Sequence, residues 1–99
     1  MLQIELTPRW RIGLRDGNVP LEADTLLALL SAVQSGGSIA QAGRELGLSY
    51  RHAWGLVRSA EDLLGQALLE RGRGQGSRLT ELGQRLVWAD ARVGARLQP

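Results

Sequence analysis

The stretch "SIAQAGRELGLSYRHAWGLVRSAEDLLG", residues 38–65, decides the fold. Ser38 followed three positions later by Gln41 is a capping-box pattern, with the hydroxyl accepting a free backbone N–H and the amide reaching back. It opens a short helix over 39–46. Gly47 suits the left-handed residue that closes such a helix. Ser49 then caps a third helix over 50–64, with Ala53, Val57, Ala60 and Leu64 on one face, joined by Leu56. Gly65 ends it. Two helices joined by a three-residue turn containing Gly make a helix-turn-helix. In DNA-binding versions the second helix enters the major groove with its N-terminal residues against base edges. Tight αα-turns also occur in proteins that never touch DNA, so the turn alone leaves function open.

The residues that lead the second helix fit a reading role. Ser49, Tyr50 and Arg51 are long or polar enough to reach donors and acceptors, and His52 is a further candidate. Arg51 is the strongest single candidate, because arginine on guanine is the commonest specific contact. Arg58 lies two turns further along the same face, and Gly55 between them lets the backbone approach DNA. Helix N-termini also hold phosphate through free N–H groups, which adds Ser38 at the second helix. Trp54 is expected to pack the helix onto the core, with facing a phosphate as the alternative.

On the C-terminal side, "ALLER" (67–71) reads as a strand, "GRGQGS" (72–77) as a basic Gly-rich loop, and "RLT" (78–80) as a short return strand. Such a hairpin after a recognition helix is what a wing looks like. Arg71, Arg73 and Arg78, with Gln75 in the loop, are candidate phosphate contacts; a plain hairpin tip is the alternative. Thr80 caps a last helix over 81–97. Its apolar residues Leu82, Leu86, Ala89, Val93 and Leu97 are spaced nearly as in a coiled coil, a stripe that either covers the domain's own core or pairs with a second copy. On the N-terminal side, Leu26, Leu27, Leu29, Leu30 and Val33 mark a first helix over 22–35, stopped by Gly36-Gly37. Before it, Leu2, Ile4, Leu6, Trp10, Ile12 and Leu14 alternate, which predicts a half-buried strand over 2–14. Pro8 puts that strand at an edge or splits it. Asp16-Gly17 reads as a tight turn, with a return through Asn18 and Val19.

Ninety-nine residues bound the chain to one domain, 1–99, and 43% hydrophobic content is ordinary for a folded protein. The fold class is mostly α with small β-hairpins (α+β). All twelve basic residues are Arg, which grips phosphate or guanine in two places; codon bias in a GC-rich genome is the alternative reason for that choice. Residues 1–43 carry three Arg against four acids, net −1, and residues 44–99 carry nine against six, net +3. The positive charge belongs to the second half of the chain. With no Cys, disulfides and thiolate metal sites are impossible. No apolar run reaches the roughly 18–20 residues of a membrane span, and the N-terminus lacks a signal-peptide pattern, so a cytoplasmic location is expected. His52 is the only His, too few for a triad or a metal site. "GRGQGS" lacks the phosphate-loop pattern. Glu61-Asp62 is expected on a solvated helix face. No enzyme activity, cofactor, metal or small-molecule ligand is expected.

The segments "GSIAQAGRELGLSYRHAW", "LLGQALLER" and "RLTELGQRLV" together resemble the winged helix-turn-helix of the ModE and LysR-type bacterial transcription regulators, over Gly36 to Val87. "SYRHAW" and the Gly-rich loop are closer to ModE, the molybdate-responsive regulator. The opening "LTPRWRIGLRDG" is also similar to ModE-type domains. The resemblance implies a winged helix-turn-helix that binds double-stranded DNA, with Ser49, Tyr50 and Arg51 at the reading end, Arg71 and Arg73 flanking the wing, and a homodimer. The last helix and the first are the expected dimer surfaces, through Leu26, Leu30, Leu82, Leu86, Val93 and Leu97. Two departures stand out. ModE proteins usually continue into molybdate-binding domains, whereas this sequence stops at Pro99, so metal sensing does not carry over. "GRGQGS" is also shorter than the longest Gly runs of that family. The expected function is a sequence-specific transcriptional regulator without a fused effector-sensing domain. The competing reading is a winged-helix module for protein–protein assembly that does not bind DNA.

Overall fold

A computed structural model describes residues 1–16, 20–71 and 76–97, with Arg71 through its backbone. The chain runs β1 (Arg11–Ile12), β2 (Leu21–Glu22), α1 (Asp24–Gly36), α2 (Ile39–Glu45), α3 (Tyr50–Leu64), β3 (Leu69–Arg71), β4 (Ser77–Leu79) and α4 (Glu81–Arg96). The strands form two separate antiparallel pairs, β1–β2 and β3–β4. The predicted helices are present, each within two residues of the expected boundaries.

α1 forms the centre of the core. Leu26, Leu29, Leu30 and Val33 recur at helical spacing and are fully buried. They meet Ile39 and Ala42 of α2, Ala53, Val57 and Ala60 of α3, Leu68, Leu69 and Leu79 of the wing hairpin, and Val87 of α4. The apolar side of α1 therefore meets every other helix and the wing, while Thr25, Ala28 and Gln34 on its other side stay exposed. This corrects one expectation. Leu26 and Leu30 are 1% and 0% exposed within the protomer, so they have no surface to offer a second copy.

The N-terminal expectation is also corrected. Residues 1–10 hold no strand, and Leu2, Ile4 and Leu6 are exposed. A period-two pattern becomes a strand only where a partner strand exists. Here the available partner is Leu21–Glu22, cut short because α1 begins at Asp24. Pro8 also removes a donor from the segment. The return strand is Leu21–Glu22; the expected turn and return at Gly17, Asn18 and Val19 lie outside the described residues. Ile12 and Leu21 face the core, so the alternation does place the inward residues of the short hairpin.

Caps fix the helix ends. Gly37 closes α1 with φ of +79°, and its N–H donates to the Val33 carbonyl at 2.7 Å. The Ser38 hydroxyl accepts from Gln41 N–H at 3.0 Å, half of the predicted capping box. Thr80 accepts from Gly83 N–H at 3.2 Å and donates to the Ala67 carbonyl at 2.7 Å, so one side chain joins α4 to the start of the wing. The wing is joined to the front of the fold by Ser77 N–H, which donates to the Gly37 carbonyl at 2.9 Å.

Candidate nucleic-acid interface

The turn between α2 and α3 determines how α3 is presented. Gly47 takes φ of +72°, a conformation that side-chain-bearing residues rarely adopt. Leu48 N–H folds back to the Gly43 carbonyl at 2.8 Å. Gly43 is buried, and a Cβ there would stand 3.3 Å from the Leu48 carbonyl and 3.5 Å from Ala53 Cβ. Two small residues, Gly43 and Ala53, thus let α2 and α3 cross closely. Ser49 accepts from His52 N–H at 3.0 Å and starts α3 at Tyr50.

With Ala53, Val57 and Ala60 turned into the core, the opposite face of α3 is solvent-facing. Tyr50, Arg51, Trp54, Gly55 and Arg58 line an open groove of about 540 Å³ along it. Tyr50 is 59% exposed, and Arg51, His52, Gly55 and Arg58 are exposed as well. A Cβ at Gly55 would meet nothing within 4 Å, so the backbone there is open to a close approach. The groove brings together four of the expected residues, Tyr50, Arg51, Gly55 and Arg58. Ser49 caps the same helix end. Ser38 lies half-buried at the start of α2, its oxygen committed to the cap.

In the wing, Leu69 faces Leu79, Glu70 faces Arg78 and Arg71 faces Ser77. Arg78 is not surrounded by basic groups alone: its Nε donates to Glu70 Oε1 at 2.8 Å across the strands, with both side chains largely exposed. An exposed pair of this kind binds weakly and exchanges readily with other partners. Arg73 and Gln75, with the side chain of Arg71, lie outside the described residues.

Two features of α3 escaped sequence reasoning. Trp54 packs partly against the core and also lines the groove, so both of its expected surroundings are present; the missed feature is that it carries Arg58, whose guanidinium carbon lies 5.4 Å from its ring centroid. The i, i+4, i+8 spacing of Tyr50, Trp54 and Arg58 was the available signal. Glu61 is not on a solvated face. Its Oε2 accepts from Leu68 N–H at 2.7 Å and Leu69 N–H at 3.4 Å, anchoring the wing's first strand to α3. No local pattern announces that bond, because its partners follow the Gly65 break.

On α4, Leu82 and Leu86 are half-buried against the core, Val93 is half-buried, and Leu97 is 39% exposed. Trp88, 62% exposed, lies on the same helix with the Arg92 guanidinium 4.8 Å from its ring centroid. Among the described residues no group of three His, Cys, Asp or Glu is placed to hold a metal, and no helix is long and apolar enough to cross a membrane.

Comparison with known proteins places this geometry. Residues 25–84 match the model of the bacterial regulatory helix-turn-helix proteins of the lysR family. The molybdenum-pterin-binding protein MopA of Rhodobacter capsulatus is 39% identical over 80 residues, covering 77% of this chain and 30% of MopA. The transcriptional regulator ModE of Yersinia pestis is 37% identical over 65 residues, covering 62% of this chain and 25% of ModE. Full-length CbnR, solved in complex with its target DNA, superposes with a TM-score of 0.58 at 30% identity, covering 68% of this chain and 23% of CbnR. This chain thus spans between a quarter and a third of the length of these curated relatives. The architecture is a winged helix-turn-helix of α+β class. With more than half of its length matched, the chain belongs to the lysR family of bacterial regulatory helix-turn-helix proteins.

Proposed function

We propose that residues 1–99 act as one winged helix-turn-helix unit that binds double-stranded DNA and regulates transcription in the cytoplasm. One observation carries this reading: Tyr50, Arg51, Gly55 and Arg58 open together onto a solvent-facing groove on α3, directly after a capped turn. In that arrangement Arg51, one residue into the helix, takes a guanine edge through its two-pronged fork. Ser49, Tyr50 and His52 contact neighbouring base edges or phosphates, and Gly55 lets the helix lie close to the strand. Arg58 takes a phosphate, and so do the free backbone N–H groups at the helix start that Ser38 caps. Arg71, Arg73, Gln75 and Arg78 supply the wing's backbone contacts, Arg78 by exchanging Glu70 for phosphate. Family membership and the DNA-bound state of CbnR support the reading.

A homodimer belongs to the same proposal. One recognition helix reads few base pairs; two copies set one DNA turn apart read a palindrome. The surface we assign to the second copy is the outer side of α4, through Leu82, Leu86, Val93 and Leu97, flanked by the exposed Trp88. Leu26 and Leu30 of α1 take no part, since they are buried.

Fluorescence anisotropy on duplex DNA from the protein's own upstream region, against a scrambled duplex across a salt series, tests this. Tight binding to the upstream duplex with a steep salt slope is expected, because phosphate contacts release counterions. Absence of binding to both duplexes at low salt would turn the reading to protein–protein assembly.

A further inference from the structure

Trp54 stands in the middle of a column on α3. Tyr50 lies one turn before it and Arg58 one turn after, at the spacing that aligns side chains along a helix face. The Tyr50 and Trp54 rings meet edge to face, with centroids 6.4 Å apart and planes inclined by 73°. The Arg58 guanidinium carbon sits 5.4 Å from the Trp54 centroid, inside the roughly 6 Å range over which an aromatic ring attracts a cation. Trp54 is half-buried and packs against the core, whereas Tyr50 and Arg58 are exposed. The fixed member of the column is therefore the tryptophan. Among the described residues Arg58 has no carboxylate partner within ion-pair distance, so the ring is the contact that holds its charged end.

A guanidinium attracted to a ring keeps its N–H donors for another partner. A free arginine loses rotamer entropy when it grips a phosphate; one already resting on a ring loses less. Base edges meet the N-terminal residues of a recognition helix, and Arg58 lies two turns beyond them, where the DNA backbone is the nearer target.

We propose that Trp54 is a positioning residue for Arg58: its indole face holds the guanidinium over the α3 groove, ready to take a DNA phosphate. This rests on the DNA-binding reading above. It assigns to Trp54 a role in the interface beyond packing the helix, and it makes the Tyr50–Trp54–Arg58 column a single unit.

The test uses two readouts, one of which needs no DNA. In the free protein, the side-chain protons of Arg58 are shifted upfield in the NMR spectrum by the Trp54 ring; Trp54→Phe keeps much of that shift and Trp54→Leu abolishes it. On duplex DNA, Arg58→Ala lowers the salt slope by about 0.9, the loss of one phosphate contact. Trp54→Leu lowers the same slope and weakens binding roughly two- to tenfold, and Arg58→Ala in the Trp54→Leu background adds little further. Trp54→Phe stays near wild type. Should Trp54→Leu fail to fold, tetrafluorotryptophan placed at position 54 keeps the ring's shape while removing its negative face, and the same loss is expected. Unchanged slope and affinity in the leucine or fluorinated proteins, or fully additive losses with Arg58→Ala, would remove the positioning role while leaving DNA binding intact. No salt-dependent binding by the wild type would remove the DNA reading and the phosphate role with it, even with the NMR shift present.

Discussion

The indole Nε1 of Trp10 donates to Asp90 Oδ1 at 2.7 Å, joining residues 80 positions apart. The backbone of the same tryptophan holds the start of α1: its N–H donates to Asp24 Oδ1 at 2.7 Å, and its carbonyl accepts from Ala23 N–H at 3.0 Å. One residue thus ties the N-terminal segment to α1 and α4. Trp10→Phe keeps much of the apolar ring and loses the donor. A side-chain hydrogen bond in a half-buried setting contributes about 1 kcal/mol, which corresponds to roughly 4–8 °C in Tm for a domain of this size. Urea titration measures it. Combined with Asp90→Ala, the loss should be smaller than the sum of the single losses; strict additivity would show that the bond contributes nothing.

Two glycines of α4 should respond to alanine with opposite signs. A Cβ at Gly83 would stand 2.5 Å from the Leu68 carbonyl oxygen and 3.3 Å from Leu79 Cβ. That forces the wing's first strand away from α4, at a cost of about 1–3 kcal/mol. A Cβ at Gly94 meets nothing within 4 Å, and there alanine should stabilise by about 0.5–1 kcal/mol through helix propensity. Thermal melts of Gly83→Ala and Gly94→Ala give the comparison. Equal shifts in the two would mean that α4 and the wing do not approach this closely in solution.

Glu61 should behave as a structural anchor. Leu68 is fully buried, and its N–H depends on the Glu61 carboxylate. Glu61→Ala leaves that donor without its partner, at about 1–3 kcal/mol. Glu61→Gln retains a neutral acceptor and should recover part of the loss. Hydrogen exchange at the Leu68 amide is the direct readout, with faster exchange expected in the alanine variant. Exchange at the wild-type rate would reassign the bond to a side chain that simply lies on the surface.

Helices were legible because their signals are local: leucine spacing in α1, Ser38, Ser49 and Thr80 at the N-caps, Gly37, Gly47 and Gly65 at the breaks. The exposed face of α3 was legible for the same reason, since Ala53, Val57 and Ala60 mark its buried side. What depended on distant partners was not. Leu2, Ile4 and Leu6 alternate like a strand but find no partner to pair with. Leu26 and Leu30 belong to a helix whose burial its apolar sequence announces, but only the packing of α2, α3, α4 and the wing shows that neither is left over for a second copy. Glu61 beside Asp62 reads as a solvated pair, although only one of the two is engaged by the wing. The Trp10–Asp90 bond spans most of the chain, and neither residue carries a pattern pointing to the other.

The two ends of the proposed interface should separate in their effect on specificity. Arg51 opens the recognition helix and is exposed in its groove. Arg51→Ala should weaken binding to the cognate duplex by about 1–3 kcal/mol and flatten the preference over scrambled DNA. Arg73→Ala in the wing should weaken all duplexes alike and reduce the salt slope by about 1. Competition anisotropy with cognate and scrambled duplexes distinguishes them. If Arg73→Ala changed sequence preference alone, the wing would be reading bases, and the division of labour between α3 and the wing would have to be redrawn.

The dimer surface assigned to α4 is testable where the helix leaves the core. Leu82 and Leu86 already pack inside the protomer, so changing them confounds folding with association. Val93 and Leu97 lie beyond that packing, near the end of α4, which closes at Leu97. A glutamate at either position puts a charge where a second copy would need apolar contact, and isolated charges are costly to bury. Leu97→Glu, and Val93→Glu at some cost to the protomer because Val93 is half-buried, should therefore keep the wild-type circular-dichroism spectrum while shifting the mass in light scattering from dimer toward monomer. DNA affinity should fall in parallel, because a monomer reads one half-site instead of two. A wild-type protein that is monomeric both free and on DNA, or variants that remain dimeric, would exclude this face of α4 as the dimer surface.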